Sequence, residues 1–171
     1  PRAASYLKNT PQDSLDRLER KTLADIHFLQ GDYPEAISIW KNQGSWYTLE
    51  QSYRVLEGDD KILALQAAYA LFPQRYAHSL INATLTRAEG HRQAGEFEQA
   101  ITRYQEIIDQ FPDQAKAYTG LAATYDQSNQ PEQALEVIEI GWQRNIQDKN
   151  FYALPGKLSE TQGGTAQAIE A

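Results

Sequence analysis

The stretch GEFEQAITRYQEIIDQFPDQ, residues 95–114, decides the fold class. Its apolar residues recur at steps of three and one, the spacing that lines one face of an α-helix. They are Phe97, Ala100, Ile101, Tyr104, Ile107, Ile108 and Phe111. Gly95 opens the stretch as a turn and Pro112 closes it. Because a single amphipathic helix cannot bury its apolar face alone, the stretch predicts a second helix as its packing partner.

The partner appears when the sequence is compared with itself at an offset of 34 residues. Ala100 then falls on Ala134, and Ala88 falls on Ala122. A period of this size is typical of an array in which each unit is a helix, a short turn and a second helix. Small residues at these positions predict that the two helices of a unit cross closely. We therefore expect the apolar face of residues 97–111 to pack on the preceding helix and on the next unit.

These segments resemble the tetratricopeptide repeat. Residues 117–142 carry its series of aromatic, leucine–small, aromatic and alanine positions, and residues 88–112 and 23–40 carry further copies. The matching residues are Leu23, Ala24, Gly31, Tyr33, Ala36 and Trp40, then Ala88, Gly95, Phe97, Ala100, Tyr104 and Pro112, then Tyr118, Leu121, Ala122, Tyr125 and Ala134. A partial copy begins at residue 150. The resemblance implies an all-α fold, a right-handed α-solenoid superhelix of antiparallel helix pairs.

The domain organisation follows from the repeats. We expect one repeat domain over residues 1–171 that is an excerpt of a longer chain, because it starts at Pro1, contains no Met and shows no polar cap. The predicted units are about 15–44, 45–75, 78–114, 115–148 and a truncated 149–171. The second is irregular, since no repeat register fits residues 41–74, and about five extra residues around RYAHS follow Pro73. Predicted helices span 12–30, 33–42, 46–56, 59–72, 76–94, 97–111, 115–128, 131–145 and 149–162, and a tenth starts near 165.

Composition excludes several functions. The net charge of -7 argues against nucleic acid as a partner. The longest apolar run, residues 62–72, is too short to insert into a membrane. There is no Cys for a disulfide, a thiolate or a cysteine-based zinc site. The sequence predicts no cofactor and no metal, and it leaves the compartment open between a free soluble segment and one tethered to a membrane protein.

No set of residues converges on catalysis, so the sequence predicts that this segment is not an enzyme. His27 and His91 occupy equivalent places in two units, where a third unit has Tyr125. This equivalence favours a semi-buried packing position over acid–base chemistry. Asp59 and Asp60 precede a helix and suit its amino terminus. Most aromatic residues lie on packing faces, and the burial of Trp46, Tyr47 and Trp142 is left open.

In the family that the chain resembles, ligands usually lie on the concave face, which the first helix of each unit lines. The resemblance implies partner-binding positions at Lys21, Asp25, Phe28, Leu85, Thr86, Glu89, Arg92, Gln93, Lys116, Thr119, Ala123, Asp126 and Gln127. Glu89, Arg92 and Asp126 should be accessible enough that neutralising them leaves the fold intact. The family's clamp for a terminal carboxylate is not matched, because Asp25 follows Lys21 where that clamp has Asn.

The leading interpretation is a protein-interaction scaffold that binds a peptide or a partner surface in its concave groove. The alternative is the soluble tail of a larger bacterial membrane enzyme of polysaccharide assembly, a polymerase or ligase, with catalysis elsewhere in the parent chain. This alternative depends on a loose resemblance of residues 35–73 to such tails. A truncated last unit also predicts end-to-end self-association through Ala166, Ala168 and Ile169.

Overall fold

The computed structural model describes residues 2–146, with side chains from residue 4 onward. Nine α-helices and one 3-10 helix make up the regular structure of this described range, which contains no strand. The helices are α1 (Arg2–Asn9), α2 (Arg17–Leu29), α3 (Tyr33–Asn42), α4 (Trp46–Val55), α5 (Gly58–Leu71), α6 (Pro73–Gln93), α7 (Phe97–Gln110), α8 (Ala115–Gln127) and α9 (Pro131–Gln143). The predicted all-α class is confirmed. The predicted helices at 149–162 and beyond 165 lie outside the described residues.

The amino-terminal helices differ from the prediction. Helix α1 was not predicted, and α2 begins at Arg17 rather than at residue 12. A capping box explains the later start, because the Asp16 carboxylate accepts from the Glu19 amide and the Glu19 carboxylate accepts from the Asp16 amide. Residues Gln12–Ser14 form a separate 3-10 turn, which Leu15 ends in an extended conformation. Helix α3, by contrast, spans the predicted residues 33–42.

The extra residues after Pro73 form helix rather than a connection. Helix α6 begins at Pro73 and runs for 21 residues, so the predicted helix 76–94 begins three residues too late. A proline is well suited to the first turn of a helix, where its missing N–H has no intrahelical acceptor. The extra residues therefore lengthen α6.

A common turn ends the helices α2 and α6. Gly31 and Gly95 have φ of 81° and 76°, the left-handed region that favours glycine. The amide of the residue after each glycine then donates to the carbonyl five residues upstream, Asp32 to His27 and Glu96 to His91, both at 2.9 Å. This pattern is the Schellman motif, which satisfies carbonyls at a helix end.

The two histidines reinforce these turns through their side chains. His27 Nδ1 lies 2.7 Å from Asp32 Oδ2, and His91 Nδ1 lies 2.5 Å from Glu96 Oε2. Their side chains are only 15% and 10% exposed. The prediction that both occupy a semi-buried packing position is confirmed. Each ring therefore ties its own helix, α2 for His27 and α6 for His91, to the turn that follows it.

The described residues divide into two compact units, residues up to 83 and residues from 84 onward, and each has its own core. In the first unit, α2 packs on α3, α3 on α5, and α4 on α5. In the second, α7 packs on α8, and α8 packs on α9. Ala24 and Ala36 in the first core, and Ala100 and Ala134 in the second, have no exposed surface. The repeat boundaries and the right-handed course of the whole array stay predictions.

The two buried alanines of the second unit give a test of the repeat register. We expect Ala100→Leu and Ala134→Leu each to lower the free energy of unfolding by about 1–3 kcal/mol, because the extra atoms overpack a filled core. The loss should be larger at Ala100, which we predict to have units on both sides. Urea unfolding followed by circular dichroism measures both values. Stability equal to wild type in both variants would show that the register is wrong.

Candidate partner-binding cleft

A cleft opens between α6 and α8 within the second unit. Its volume is about 310 Å³. The residues that line it are Leu85, Glu89, Arg92, Tyr104, Lys116, Thr119, Gly120 and Ala123. All of them except Tyr104 and Gly120 come from the set that the sequence analysis assigned to the concave face.

Helical spacing explains why these side chains meet. Leu85, Glu89 and Arg92 stand at positions i, i+4 and i+7 of α6, and therefore share one face of that helix. Lys116 and Ala123 likewise lie seven residues apart on α8. The cleft therefore has one wall from α6 and one from α8, and α7 contributes the Tyr104 ring.

The most ordered polar group of the cleft is the Glu89 carboxylate. Arg92 donates to it twice, from Nε to Oε2 at 3.0 Å and from a terminal nitrogen to Oε1 at 2.5 Å. Gln93 Nε2 donates to Oε1 at 2.8 Å, and the Tyr104 hydroxyl donates to Oε2 at 3.0 Å. This network holds the carboxylate, the guanidinium and the phenol in fixed positions relative to one another.

The network shifts the ionisation of its members. The pKa of the Glu89 carboxyl is lowered to about 2, chiefly by the hydrogen bonds from Arg92 and also by those from Gln93 and Tyr104, although burial acts to raise it. Burial raises the pKa of Tyr104 to about 12, and the hydrogen bond to the charged Glu89 raises it too. The Arg92 pKa is also raised, first by its hydrogen bond to Glu89. Glu89 and Arg92 therefore stay ionised, and Tyr104 stays neutral, over the physiological range.

This lowered pKa predicts a specific acid sensitivity. The ionised Glu89 stabilises the fold above its unfolded-state pKa of about 4.3, and that contribution is lost as the pH falls from there to about 2. We expect Glu89→Gln to reduce the dependence of unfolding free energy on pH in this window. Urea titrations between these two pH values measure it, with Glu136→Gln at an exposed position of α9 as the control. An unchanged dependence in Glu89→Gln would contradict the network.

Tyr104 and Gly120 line the cleft but were not among the predicted partner-binding residues. The Tyr104 ring is 2% exposed and lies against Gly120 of α8, where a Cβ would overlap the ring atoms. A glycine inside a helix is a signal of such a close approach, because glycine otherwise weakens a helix relative to alanine. Gly120 was therefore detectable as a packing position, although its partner on α7 was not.

The other predicted positions of the second unit lie outside the lining of this cleft. Thr86, Gln93 and Gln127 are exposed, and Asp126 is half-buried. The expectation that neutralising Glu89 and Arg92 leaves the fold intact needs correction. Both side chains are partly covered, at 39% and 20% exposure, and they hold Tyr104 in place.

In the first unit, the three predicted partner-binding residues all belong to α2, but they have different surroundings. Lys21 and Asp25 form an exposed ion pair of 2.7 Å. Phe28 is half-buried, and its ring centroid lies 5.1 Å from that of Tyr33 and 5.3 Å from that of Trp40. Phe28 therefore supports the core of its unit as well as reaching the surface.

A second carboxylate network stands in the first unit. The buried Glu50 accepts from Arg54 at 2.7 Å, from Arg75 at 2.8 Å and from the Tyr76 hydroxyl at 2.9 Å. The hydrogen bond from Tyr76 is the main cause that lowers the Glu50 pKa. The network is not detectable from the sequence, because its groups come from the separate helices α4 and α6. In each unit, therefore, the hydroxyl of a buried tyrosine donates a hydrogen bond to a carboxylate that also accepts from arginine.

Within residues 2–146, no cluster of three or more His, Asp or Glu side chains is placed to hold a metal ion. Among the same residues, no helix is long and apolar enough to cross a membrane. The cleft itself presents apolar surface from Leu85 and Ala123 over the buried Tyr104 ring, framed by the charges of Glu89, Arg92 and Lys116.

Comparison with known proteins agrees with this architecture. Residues 91–158 match the family model described as the tetratricopeptide repeat. The matched segment includes α7, α8 and α9, so the resemblance that the sequence analysis identified is confirmed for this part of the chain. No curated protein matches the chain. Tetratricopeptide repeats commonly mediate interactions between proteins and are generally not catalytic.

Proposed function

We propose that this chain is a protein-interaction scaffold that binds a segment of a partner protein in the cleft between α6 and α8. The observation that carries the proposal is the preorganised cleft itself. Two of its charged groups, Glu89 and Arg92, are held by hydrogen bonds within the protein, so a partner loses little affinity to ordering them. Its apolar surface is open to solvent without a covering element in the described structure.

The chemistry of the lining suggests what the partner segment contains. An apolar side chain fits between Leu85 and Ala123, on the floor that Tyr104 forms. The charge of Glu89 is matched by Arg92, whereas Lys116 is exposed and takes part in no ion pair among the described residues. The cleft therefore favours a segment that carries an acidic residue beside its apolar anchor.

Blocking the cleft tests the proposal. Peptides are selected from a random-sequence library on the wild-type protein, synthesised, and titrated by fluorescence anisotropy. Ala123→Arg places a long charged side chain into the cleft at a half-buried helical position. We expect it to weaken the binding of peptides that combine an acidic and an apolar residue by at least about tenfold, since a buried contact is replaced by a steric block.

The matched control is Gln133→Arg, which adds the same charge at an exposed position of α9. It should leave the affinity within about twofold of wild type, because surface changes away from a site have small effects. If every selected peptide binds Ala123→Arg as tightly as Gln133→Arg, the cleft is not the binding site and the proposal fails.

The alternative function, a tail attached to a bacterial membrane enzyme of polysaccharide assembly, concerns the parent chain rather than this cleft. It is compatible with a peptide-binding scaffold, because a tail can recruit partners to such an enzyme. The self-association predicted through Ala166, Ala168 and Ile169 involves residues outside the described range, and it stays a prediction.

A further inference from the structure

The first unit carries an exposed aromatic surface that its core does not use. Trp46 is 37% exposed, Tyr47 62% and Leu18 71%. They line a cleft of about 480 Å³ between α2 and the start of α4. Arg17, Lys21 and uncharged residues of the α3–α4 turn complete the lining. Large apolar side chains grouped at a cleft are typical of an interaction surface.

The charge of this cleft is opposite to that of the chain. Its lining contains two basic residues, Arg17 and Lys21, and no carboxylate, although the chain has a net charge of -7. Lys21 pairs with Asp25 in an exposed i, i+4 arrangement, a kind of pair that contributes little stability, so Lys21 can exchange this partner for a ligand. Among the described residues, Arg17 takes part in no ion pair. The cleft is therefore complementary to an acidic ligand.

The aromatic rings are held in a particular arrangement. The rings of Trp46 and Tyr47 meet edge to face, with centroids 5.9 Å apart and planes at 89°. The Arg75 guanidinium lies 5.0 Å from the Trp46 ring centroid, and Glu50 fixes that guanidinium by a hydrogen bond of 2.8 Å. Phe72 contacts Trp46 at 6.3 Å. Trp46 thus contacts Tyr47, Phe72 and Arg75.

This geometry distinguishes between two kinds of acidic ligand. Sugar rings stack on open, flat aromatic faces, whereas one face of Trp46 is occupied by Arg75. Two rings at right angles form a corner, which can contact an inserted branched or aromatic side chain on two sides. The arrangement thus favours a peptide over an acidic oligosaccharide.

We propose that the cleft formed by Arg17, Lys21, Trp46 and Tyr47 is a second docking site, which binds an acidic protein segment through an apolar side chain inserted at the Trp46–Tyr47 corner. Arg17 and Lys21 pair with carboxylates that flank the anchor. This site is separate from the α6–α8 cleft in its residues and in its unit, so it does not depend on the function proposed above.

The test begins with the full chain carrying Ala123→Arg, so that the α6–α8 cleft is blocked. Peptides selected from a random-sequence library on this variant should combine Asp or Glu with Trp, Phe or Leu. In the same background, the double variant Arg17→Glu/Lys21→Glu should weaken these peptides at least about tenfold by anisotropy, because two attractive pairs become repulsive. Tyr47→Ala should weaken them by a similar factor, since it opens the corner.

Matched controls separate these effects from general charge and surface effects. Lys41→Glu/Arg144→Glu makes the same change in net charge at exposed positions outside the cleft. Tyr6→Ala removes a tyrosine that is 60% exposed on α1. Both should bind as the parent does. Circular dichroism melts confirm that each variant is folded before its affinity is compared.

Two results would overturn the proposal. In the first, the selected peptides bind the Arg17→Glu/Lys21→Glu variant as tightly as they bind its control. This result would show that they bind outside the cleft. The other is an oligogalacturonate that binds with dependence on Arg17, Lys21 and Tyr47 while no selected peptide does, which would assign the cleft to an acidic glycan. Neither result bears on the α6–α8 cleft, which is blocked throughout.

Discussion

Replacing Tyr104 with alanine should lower the free energy of unfolding by about 3–5 kcal/mol, the range for removing a buried aromatic side chain. The ring is 2% exposed and packs in the core of the second unit. Its removal leaves a cavity beside Gly120, which has no side chain to fill it. The Glu89 carboxylate also loses one of its donors. Urea unfolding followed by circular dichroism gives the value.

Tyr104→Phe separates the ring from its hydroxyl. It keeps the packing and removes only the hydrogen bond to Glu89, which retains Arg92 and Gln93. We expect a cost of about 1 kcal/mol, typical of one hydrogen bond. Equal losses in Tyr104→Ala and Tyr104→Phe would mean that the ring contributes no packing, contrary to the structure.

Replacing Gly120 with alanine should destabilise the protein, at the upper end of about 1–3 kcal/mol for overpacking. The added Cβ meets the Tyr104 ring, which cannot turn away because it is buried and bonded to Glu89. Gly90→Ala is the matched control, since Gly90 is also helical and a Cβ there meets nothing within 4 Å. That control should raise the free energy of unfolding by about 0.4–1 kcal/mol.

The two substitutions should be strongly coupled. In a Tyr104→Ala background the obstacle is absent, so Gly120→Ala should become stabilising, as it is for an ordinary helical glycine. A double-mutant cycle measures this reversal of sign. If Gly120→Ala stabilises the protein in both backgrounds, the close approach of α7 and α8 at this point is wrong.

Helices were predictable from sequence where short-range signals define them. The apolar spacing of residues 97–111 and the turn at Gly95 lie within a few residues of the structure that they determine. Helix α2 begins at Arg17 rather than at the predicted residue 12, because the polar residues Gln12–Ser14 form a 3-10 turn and the capping box at Asp16 fixes the helix start. Periodicity alone does not reveal where backbone hydrogen bonding begins.

The candidate site was only partly predictable for a related reason. Positions such as Leu85, Glu89 and Lys116 follow from the repeat register, because it assigns each residue to a face of its helix. The contacts between helices do not follow from it. The Tyr104–Gly120 approach and the Arg75–Trp46 contact join residues that are far apart in sequence, and each depends on how side chains of particular volumes fill one place.

Nuclear magnetic resonance mapping of peptide binding tests the central claim most directly. A selected peptide is added to the ¹⁵N-labelled wild-type chain, and amide shifts are followed to saturation. Binding in the α6–α8 cleft predicts the largest shifts at Leu85, Glu89, Thr119 and Ala123, with the same shifts absent in Ala123→Arg. Saturating shifts confined to exposed positions of α7 and α9, with α6 and α8 unchanged, would contradict the account.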